Sequence, residues 1–534
     1  MKSRTLYSIL FLFQTLLLSA QITDWSQSYG AAAGAELSFL SPHPNGIIAA
    51  GNFLESFPLN ANTVNSQGGS DIFILWIDSL GNTSNSLFLG NENNDYIRGM
   101  DSDANGNLYI AGEFKGNLQL GNYSLQSYTQ SNFIAKIDAN GQVIWAERIY
   151  GSGSNRILDL QLDVNQQNIL VSGYFNDTLA IQGQLMHETV STNLFVLKLN
   201  TTGSLQWMQK TPRSIEAKAW SIAALPDGKI WVAAEFRDSI YLPQDTFYIH
   251  PSYTDILVAQ LDSNGQWLQS KRWGGVYNDR PKRLRLSPDQ QNLWMAGEFV
   301  GVLHLDNNIE LRTAFKYYDI FWVKMNLNGT SLAAGQSNTI ANCYLNNIHI
   351  AADGLWLGGY FQDSLVGYNQ THLTNGGFDA YWFRVDSSNA ALSASRAVGG
   401  TDNDLVNALL VKNNHLAVGG SFQESMNIGN NTLYAVGFSN AWLSWMTISS
   451  ALLIESFRIP TLITIQIVPN PSSDTFRIVL EAPTELQWEL YSLNGQRVAR
   501  GTSDLINIAQ LPAGTYSLTV YTEKGMGVAK VVKN

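Results

Sequence analysis

One tripeptide, repeated at a constant distance, restricts what this chain can fold into. Gly112-Glu-Phe114 closes the run Leu108-Tyr-Ile-Ala-Gly-Glu-Phe114. It returns as Gly51-Asn-Phe53, Gly173-Tyr-Phe175, Ala234-Glu-Phe236, Gly297-Glu-Phe299, Gly359-Tyr-Phe361 and Gly420-Ser-Phe422. With Ala234 standing in for glycine once, the spacings are 61, 61, 61, 63, 62 and 61 residues. Units of this length, rich in strand formers, point to a propeller or solenoid.

The unit Asp95–Tyr150 shows the plan. Tyr96–Ser102 alternates and turns at Ala104-Asn105-Gly106. Leu108–Phe114 is a second strand, Leu118–Leu125 a small hairpin, and Phe133–Asp138 a third strand. That strand ends in the tight-turn signal Asp138-Ala-Asn-Gly141, and Val143–Ile149 is a fourth. Four strands and an inserted hairpin in about 61 residues make one propeller blade. A glycine inside a strand weakens it, so its recurrence implies a neighbour pressed against the backbone, with the Phe two residues on covering the same face.

Strand counting adds a closure. Seven copies of the first three strands are followed by only six fourth strands. The segment Asp24-Trp-Ser-Gln-Ser-Tyr-Gly30, before the first copy, reads like Ile144-Trp-Ala-Glu-Arg-Ile-Tyr-Gly151. The expectation is an all-β, seven-bladed propeller over residues 21–447, whose N-terminal strand completes the last blade and removes its edges. Ala451–Ile459 competes for that place without matching the repeat pattern.

Residues 1–20 read as a secretory signal: Lys2 and Arg4 precede an apolar run from Leu6 to Leu18. Residues 448–462 read as a linker around Pro460, and 463–534 as a small β-sandwich of short strands between turn signals. The single cysteine, Cys343, excludes an internal disulfide and reads as a small buried hydrophobe. Net charge is −11, and the balanced tail and basic leader leave the acidity on the repeat region. Nucleic acid is therefore not an expected partner.

Two resemblances follow from these residues. Asp379-Ala-Tyr-Trp-Phe-Arg-Val-Asp386, Asp103-Ala-Asn-Gly-Asn-Leu-Tyr-Ile-Ala-Gly112 and Gly399-Gly-Thr-Asp-Asn-Asp404 make the repeat region resemble the bacterial SBBP β-propeller repeat, which implies a fold and no reaction. The tail resembles the type A C-terminal sorting domain of the type IX secretion system. It does so through Pro469-Asn-Pro471, Leu490-Tyr-Ser-Leu-Asn-Gly-Gln-Arg-Val498, Leu511-Pro-Ala-Gly-Thr-Tyr516 and Lys530-Val-Val-Lys533. That resemblance implies export across a Gram-negative outer membrane. Residues 463–534 would address the secretion machinery, and the chain would end secreted or at the cell surface with no membrane span of its own.

Candidate sites are sparse. Asp101-Ser-Asp-Ala-Asn-Gly106 begins like a calcium loop, but Gly112 stands where the bidentate Glu belongs, so a hairpin turn is the reading. The seven histidines are scattered, and no metal, cofactor or catalytic motif appears. Tyr109, Trp231, Trp294 and Trp356 share one repeated strand position and read as packing. Trp273 and Tyr277, read as a loop after a fourth strand, are better placed for a ligand. Arg280, Lys282, Arg283 and Arg285 form one basic cluster, read as a solvated or channel-lining strand. Ser79, Thr178, Ser239 and Ser364 lie in Asp-Ser/Thr-aliphatic triplets. These resemble O-glycosylation acceptors of bacteria using this export route; a capping Asp turn is the plain alternative. The expected role is a non-catalytic binding or adhesion module for a surface glycan or protein. A polysaccharide hydrolase or lyase, or a passive spacer, is the alternative. Function is to be sought in what the repeats do not share.

Overall fold

The computed structural model of the chain describes residues 23–314, 316–429, 431–448, 465–480, 486–492, 497–522 and 525–534. The expected signal at 1–20, nearly all of the expected linker, and Ala451–Ile459 lie outside the described residues. The chain divides into two compact units after residue 449. Among the described residues all regular structure is strand apart from one short turn of 3-10 helix at Asp306–Asn308.

In the second repeat Tyr96–Ser102, Leu108–Leu120, Tyr123–Ile137 and Val143–Ile149 pair antiparallel in chain order. The other repeats keep this order. A single parallel bridge, Thr192 to Glu216, merges the third and fourth into one sheet. The last repeat supplies Asp404–Lys412, His415–Phe422 and Asn440–Thr447, and Thr23–Tyr29 adds the fourth strand. This N-terminal strand behaves like the others. Trp25 donates its indole N–H to the Ser79 carbonyl at 3.0 Å, as Trp145 does to Thr201 at 3.1 Å and Trp207 to Ser263 at 3.0 Å. The first strands touch one another in chain order, and the first strand of the last repeat touches Gly34–His43 of the first. The repeat unit is thus a propeller-like assembly of four-stranded meanders. Central strands such as Leu108–Phe114 and Asp379–Val385 are buried at every position, because sheets cover both faces.

The landmark glycine has two neighbours. Its paired first strand carries a bulge at the same place in every repeat, next to Leu37, Ile97, Ile157, Ala219, Pro281, Leu345 and Val406. The bulge brings a first-strand carbonyl against the glycine; a Cβ on Gly112 would overlap the Tyr96 oxygen and the Phe133 ring. The third-strand residue opposite the glycine is Phe73, Phe133, Phe195, Phe321, Tyr381 or Trp442, whereas Ala234 alone faces a leucine, Leu257. Glycine goes with an aromatic residue opposite at six positions and alanine with a leucine at the seventh, while a Cβ at each of the six glycines also meets a first-strand carbonyl.

Four residues beyond the landmark, every repeat takes a left-handed backbone: Glu55, Gly116, Asp177, Asp238, Gly301, Asp363 and Glu424 have φ between 50° and 89°. This kink sends the chain into the outer hairpin. At the opposite end the third strands close in side-chain-capped turns. Asp138 Oδ1 accepts from the Asn140 and Gln142 N–H groups, and Asp262 Oδ1 from Asn264 and Gln266.

The C-terminal unit has a three-stranded sheet, containing Ile465–Val468, Thr475–Leu480 and Leu505–Asn507, and a four-stranded sheet. Both contribute to one core, with Phe476, Ile478 and Ile506 meeting Leu490, Leu518 and Val531. The motif residues hold it shut. Asn470 donates to the Lys530 carbonyl at 2.6 Å and accepts from the Val532 N–H at 2.8 Å, and the Tyr516 hydroxyl donates to the Pro512 carbonyl at 2.7 Å.

Candidate functional site

In a strand, neighbours point to opposite faces. The residue between the landmark Gly and Phe therefore faces away from both. It is Asn52, Glu113, Tyr174, Glu235, Glu298, Tyr360 or Ser421. Its pairing partner on the first strand is Glu36, Tyr96, Arg156, Lys218, Arg280, Tyr344 or Leu405. These pairs lie where the first strands begin, and from the second repeat to the sixth their side chains meet across neighbouring repeats; this end is termed the mouth.

From the second repeat to the fifth the mouth is a chain of ion pairs. Glu113 is held by Arg156 Nε at 2.6 Å and by an Arg98 terminal nitrogen at 3.1 Å. Glu235 is held by Arg280 Nε at 2.6 Å and by Lys218 at 3.3 Å. Lys218 also reaches Glu216 at 2.7 Å, and Arg237 holds the other Glu216 oxygen at 3.3 Å. Glu298 takes Lys282 at 3.1 Å and the Leu345 N–H at 3.1 Å. Burial works against the Lys218 ammonium, but its bonds to Glu216 and Glu235 outweigh that and raise its pKa. Burial likewise works against the Glu216 carboxylate, and Lys218, Arg237 and Arg280 hold it below its usual range. Aromatic faces cover the cations. Arg280 and Lys282 lie over Trp220 at 5.3 and 5.1 Å, and Lys218 over Tyr174 at 5.6 Å.

In the fifth and sixth repeats the mouth is aromatic. Tyr344 lies 5.8 Å from Tyr318 and 5.0 Å from Tyr360, and Phe378 lies 5.2 Å from Tyr360. All four are half-buried. Burial pushes the Tyr360 hydroxyl up to about 12. Among the described residues no ring contact joins Tyr277 to this surface; it lies edge-on to Tyr253 at 5.4 Å and under the Lys316 ammonium. Trp273 does not belong to this surface either. It ends the strand Trp267–Trp273, is buried, and donates its indole N–H to Asp306 at 3.2 Å.

The basic cluster divides. Arg280 and Lys282 join the mouth, while Arg285 lies deeper. It grips Asp159 with both terminal nitrogens at 2.9 and 3.1 Å and reaches Ser221 Oγ at 2.8 Å, tying the first strands of three repeats together. Arg283 is lowered to about 10 by burial. Arg280, Lys282 and Arg285 are thus ion-paired, while Arg283 donates to the Lys282 carbonyl at 3.0 Å.

A second set of acids sits between repeats. The residue opening a third strand faces the start of the next first strand, and three such places pair two aspartates: Asp71 with Asp95, Asp255 with Asp279, and Asp379 with Asp404. Burial pushes Asp71 and Asp379 up to about 6 and Asp95 and Asp404 up to about 8. Their oxygens cap backbone N–H groups, as Asp95 does for Asn91 at 2.7 Å and Asp404 for Gly400 at 2.6 Å. They serve the junctions between repeats. Among the described residues no three His, Cys, Asp or Glu side chains gather as a metal-holding set.

The four hydroxyls singled out in the sequence share no common setting. Ser79 is exposed in the turn capped by Asp78; Thr178 is half-buried against Ser152 Oγ at 2.6 Å; Ser364 is half-buried; Ser239 is buried. Asp177, Asp238 and Asp363 occupy the left-handed position that Glu55, Gly116, Gly301 and Glu424 share. Backbone geometry explains their recurrence, as Asp tolerates that conformation.

Sequence reasoning singled out Arg280 and Lys282 and missed the rest of the mouth. Its signal lay inside the repeat motif: the middle residue of Gly-x-Phe varies while its neighbours recur.

Residues 466–534 match the family described as the secretion system C-terminal sorting domain. No curated protein matches the chain. Among solved structures it is similar to the quinohemoprotein alcohol dehydrogenase of Comamonas testosteroni, at 10% identity and a TM-score of 0.36 over 85% of this chain and 81% of that one. The Pseudomonas aeruginosa periplasmic gluconolactonase PpgL stands at 10% identity and 0.39, over 79% of this chain and 100% of that one. Saccharomyces cerevisiae Sqt1 stands at 9% and 0.38, over 96% and 100%. Likeness at these scores says nothing of activity.

Proposed function

From a chain whose type IX sorting tail carries it across the outer membrane, to be secreted or held at the cell surface, we propose a non-catalytic polysaccharide-binding module. The repeat unit is read as a seven-bladed propeller whose last blade is completed by Thr23–Tyr29, and the tail as a small β-sandwich that engages the secretion machinery. The observation that carries the reading is the mouth. Half-buried Tyr318, Tyr344, Tyr360 and Phe378 adjoin a set of fixed donors and acceptors. Aromatic faces stack on the apolar faces of sugar rings, and aligned charged groups bond their hydroxyls.

The mouth carboxylates Glu113, Glu235 and Glu298 are each held by at least one cation, which favours binding over a free acid and base pair. A hydrolase or lyase on the same scaffold would need such a pair, and a passive spacer would need no mouth. The test is binding of the full exported chain to immobilised polysaccharides. Retention of the chain, lost in Tyr344→Ala/Tyr360→Ala, supports the module; no retention on any polymer refutes it, and shortening of a bound polymer replaces it with the enzyme. If the export route also glycosylates this protein, Ser79, Thr178 and Ser364 are the acceptors accessible to modification. Mass spectrometry of native protein with none of them modified would refute that.

A further inference from the structure

The ion pairs of the mouth are layered. The carboxylates lie beneath, with side chains 8% exposed for Glu113, 3% for Glu235 and 2% for Glu298. The cations lie above them, 38% exposed for Arg156, 32% for Arg280, 26% for Arg98, 25% for Lys218 and 17% for Lys282. Solvent therefore meets positive charge in an otherwise acidic repeat region. Arg156 and Arg280 bond their carboxylates through Nε, and the described residues offer their terminal nitrogens no other hydrogen bond. A guanidinium held this way keeps a planar donor edge for an outside oxyanion, already oriented by the acid behind it. Two carboxylates border this arc. Glu216 is committed to Lys218 and Arg237, and burial raises the Glu36 carboxyl against the pull of Arg98.

We infer that the mouth takes an anionic polysaccharide, one bearing carboxylate or sulfate groups, with Arg156 and Arg280 receiving the anions. The sugar rings then lie on the Tyr344 and Tyr360 faces in the sixth repeat. This rests on the mouth being the binding surface. The cations form one short arc on a chain of net charge −11. That suits a polymer whose sugars can lie on the aromatic arc better than it suits a nucleic-acid duplex, whose contacts are dominated by phosphate neutralisation.

The test compares full chain on dextran, dextran sulfate, polygalacturonate and duplex DNA by titration at two salt concentrations. The expected result is at least tenfold tighter binding of one or both charged polysaccharides than of dextran, weakening as salt rises. Arg156→Gln/Arg280→Gln removes roughly tenfold of that preference; a loss of dextran binding as large as the loss of charged-polymer binding overturns the assignment of the anions to these two residues. Arg156→Lys/Arg280→Lys keeps the charge and the cover over Glu113 and Glu235, so it separates loss of the donor edge from loss of folding. An unfolding midpoint for each variant completes that separation. Equal binding of dextran and its sulfate overturns the anionic assignment and leaves the module standing. Tighter binding of DNA than of any polysaccharide overturns the assignment as well. No binding of any polymer overturns both.

Discussion

The turns that close the third strands and the mouth at the other end of the same strands arise from one repeat, yet they diverged differently. At the turn end Asp78, Asp138, Asn200 and Asp262 do one job with one geometry, each side-chain oxygen accepting from backbone N–H groups two and four residues on. At the mouth end the equivalent positions hold Glu113, Tyr174, Glu235, Glu298 and Tyr360, each with different partners. Beside them the Phe position stays constant and the Gly position changes once, to Ala234. The difference separates the requirements: uniform residues answer to the backbone and the packing of neighbouring sheets, and variable ones answer to what lies outside.

Substitutions can break or sharpen this contrast. Phe299→Ala empties a fully buried site beside Phe321 and should cost about 3–5 kcal/mol in chemical unfolding. Gly297→Ala puts a methyl into the Arg280 carbonyl and the Phe321 ring and should cost about 1–3 kcal/mol. Adding Phe321→Leu recreates the Ala234–Leu257 pair. If the pairing rule is right, the double variant is more stable than the sum of the two single costs predicts. At the mouth the expected effect is on ligand and not on folding: Tyr344→Ala/Tyr360→Ala should weaken polysaccharide binding roughly tenfold with a small change in unfolding. At the turn end Asp262→Ala should cost about 0.5–1.5 kcal/mol and leave binding untouched.

The junctions between repeats add a pH test. Asp71 and Asp379 near 6, and Asp95 and Asp404 near 8, stand above the roughly 4 of an unfolded aspartate. The unfolded chain then releases these protons first. The stability they contribute is fully present below about pH 4 and is lost as pH rises through 6 to 8. The unfolding midpoint should fall from pH 5 to pH 9, and Asp404→Asn should flatten the fall. An unchanged slope in that variant would remove Asp404 from the account.

Legibility in the sequence followed repetition. The strands, the capped turns and the role of Asp24–Gly30 were visible because each copy repeats them, and Trp25 does match Trp145 and Trp207 in its hydrogen bond. The leucine opposite Ala234 was not, because Leu257 lies on another strand. Trp273 next to Gly274-Gly275 read as a loop, but pairing with Ile256 carries the strand through it. The mouth required knowing that residues about 61 apart meet at one end, and that their side chains pair across neighbouring strands and repeats.

The pairing of Thr23–Tyr29 with Asn440–Thr447 also sets an order of events. Ser26 and Ser444 meet across 418 positions, so the first strand of the repeat region waits for the last. Early repeats can form their own hairpins, but the final sheet stays one strand short until the seventh copy is present. Such distant closure is slow relative to local pairing. An exported chain therefore passes through a long interval with an unfilled edge, and its N-terminal strand works as a latch fastened last. A chain lacking Thr23–Tyr29 should fold its early repeats, leave Asn440–Thr447 open to protease, and regain protection when the missing strand is supplied as a peptide.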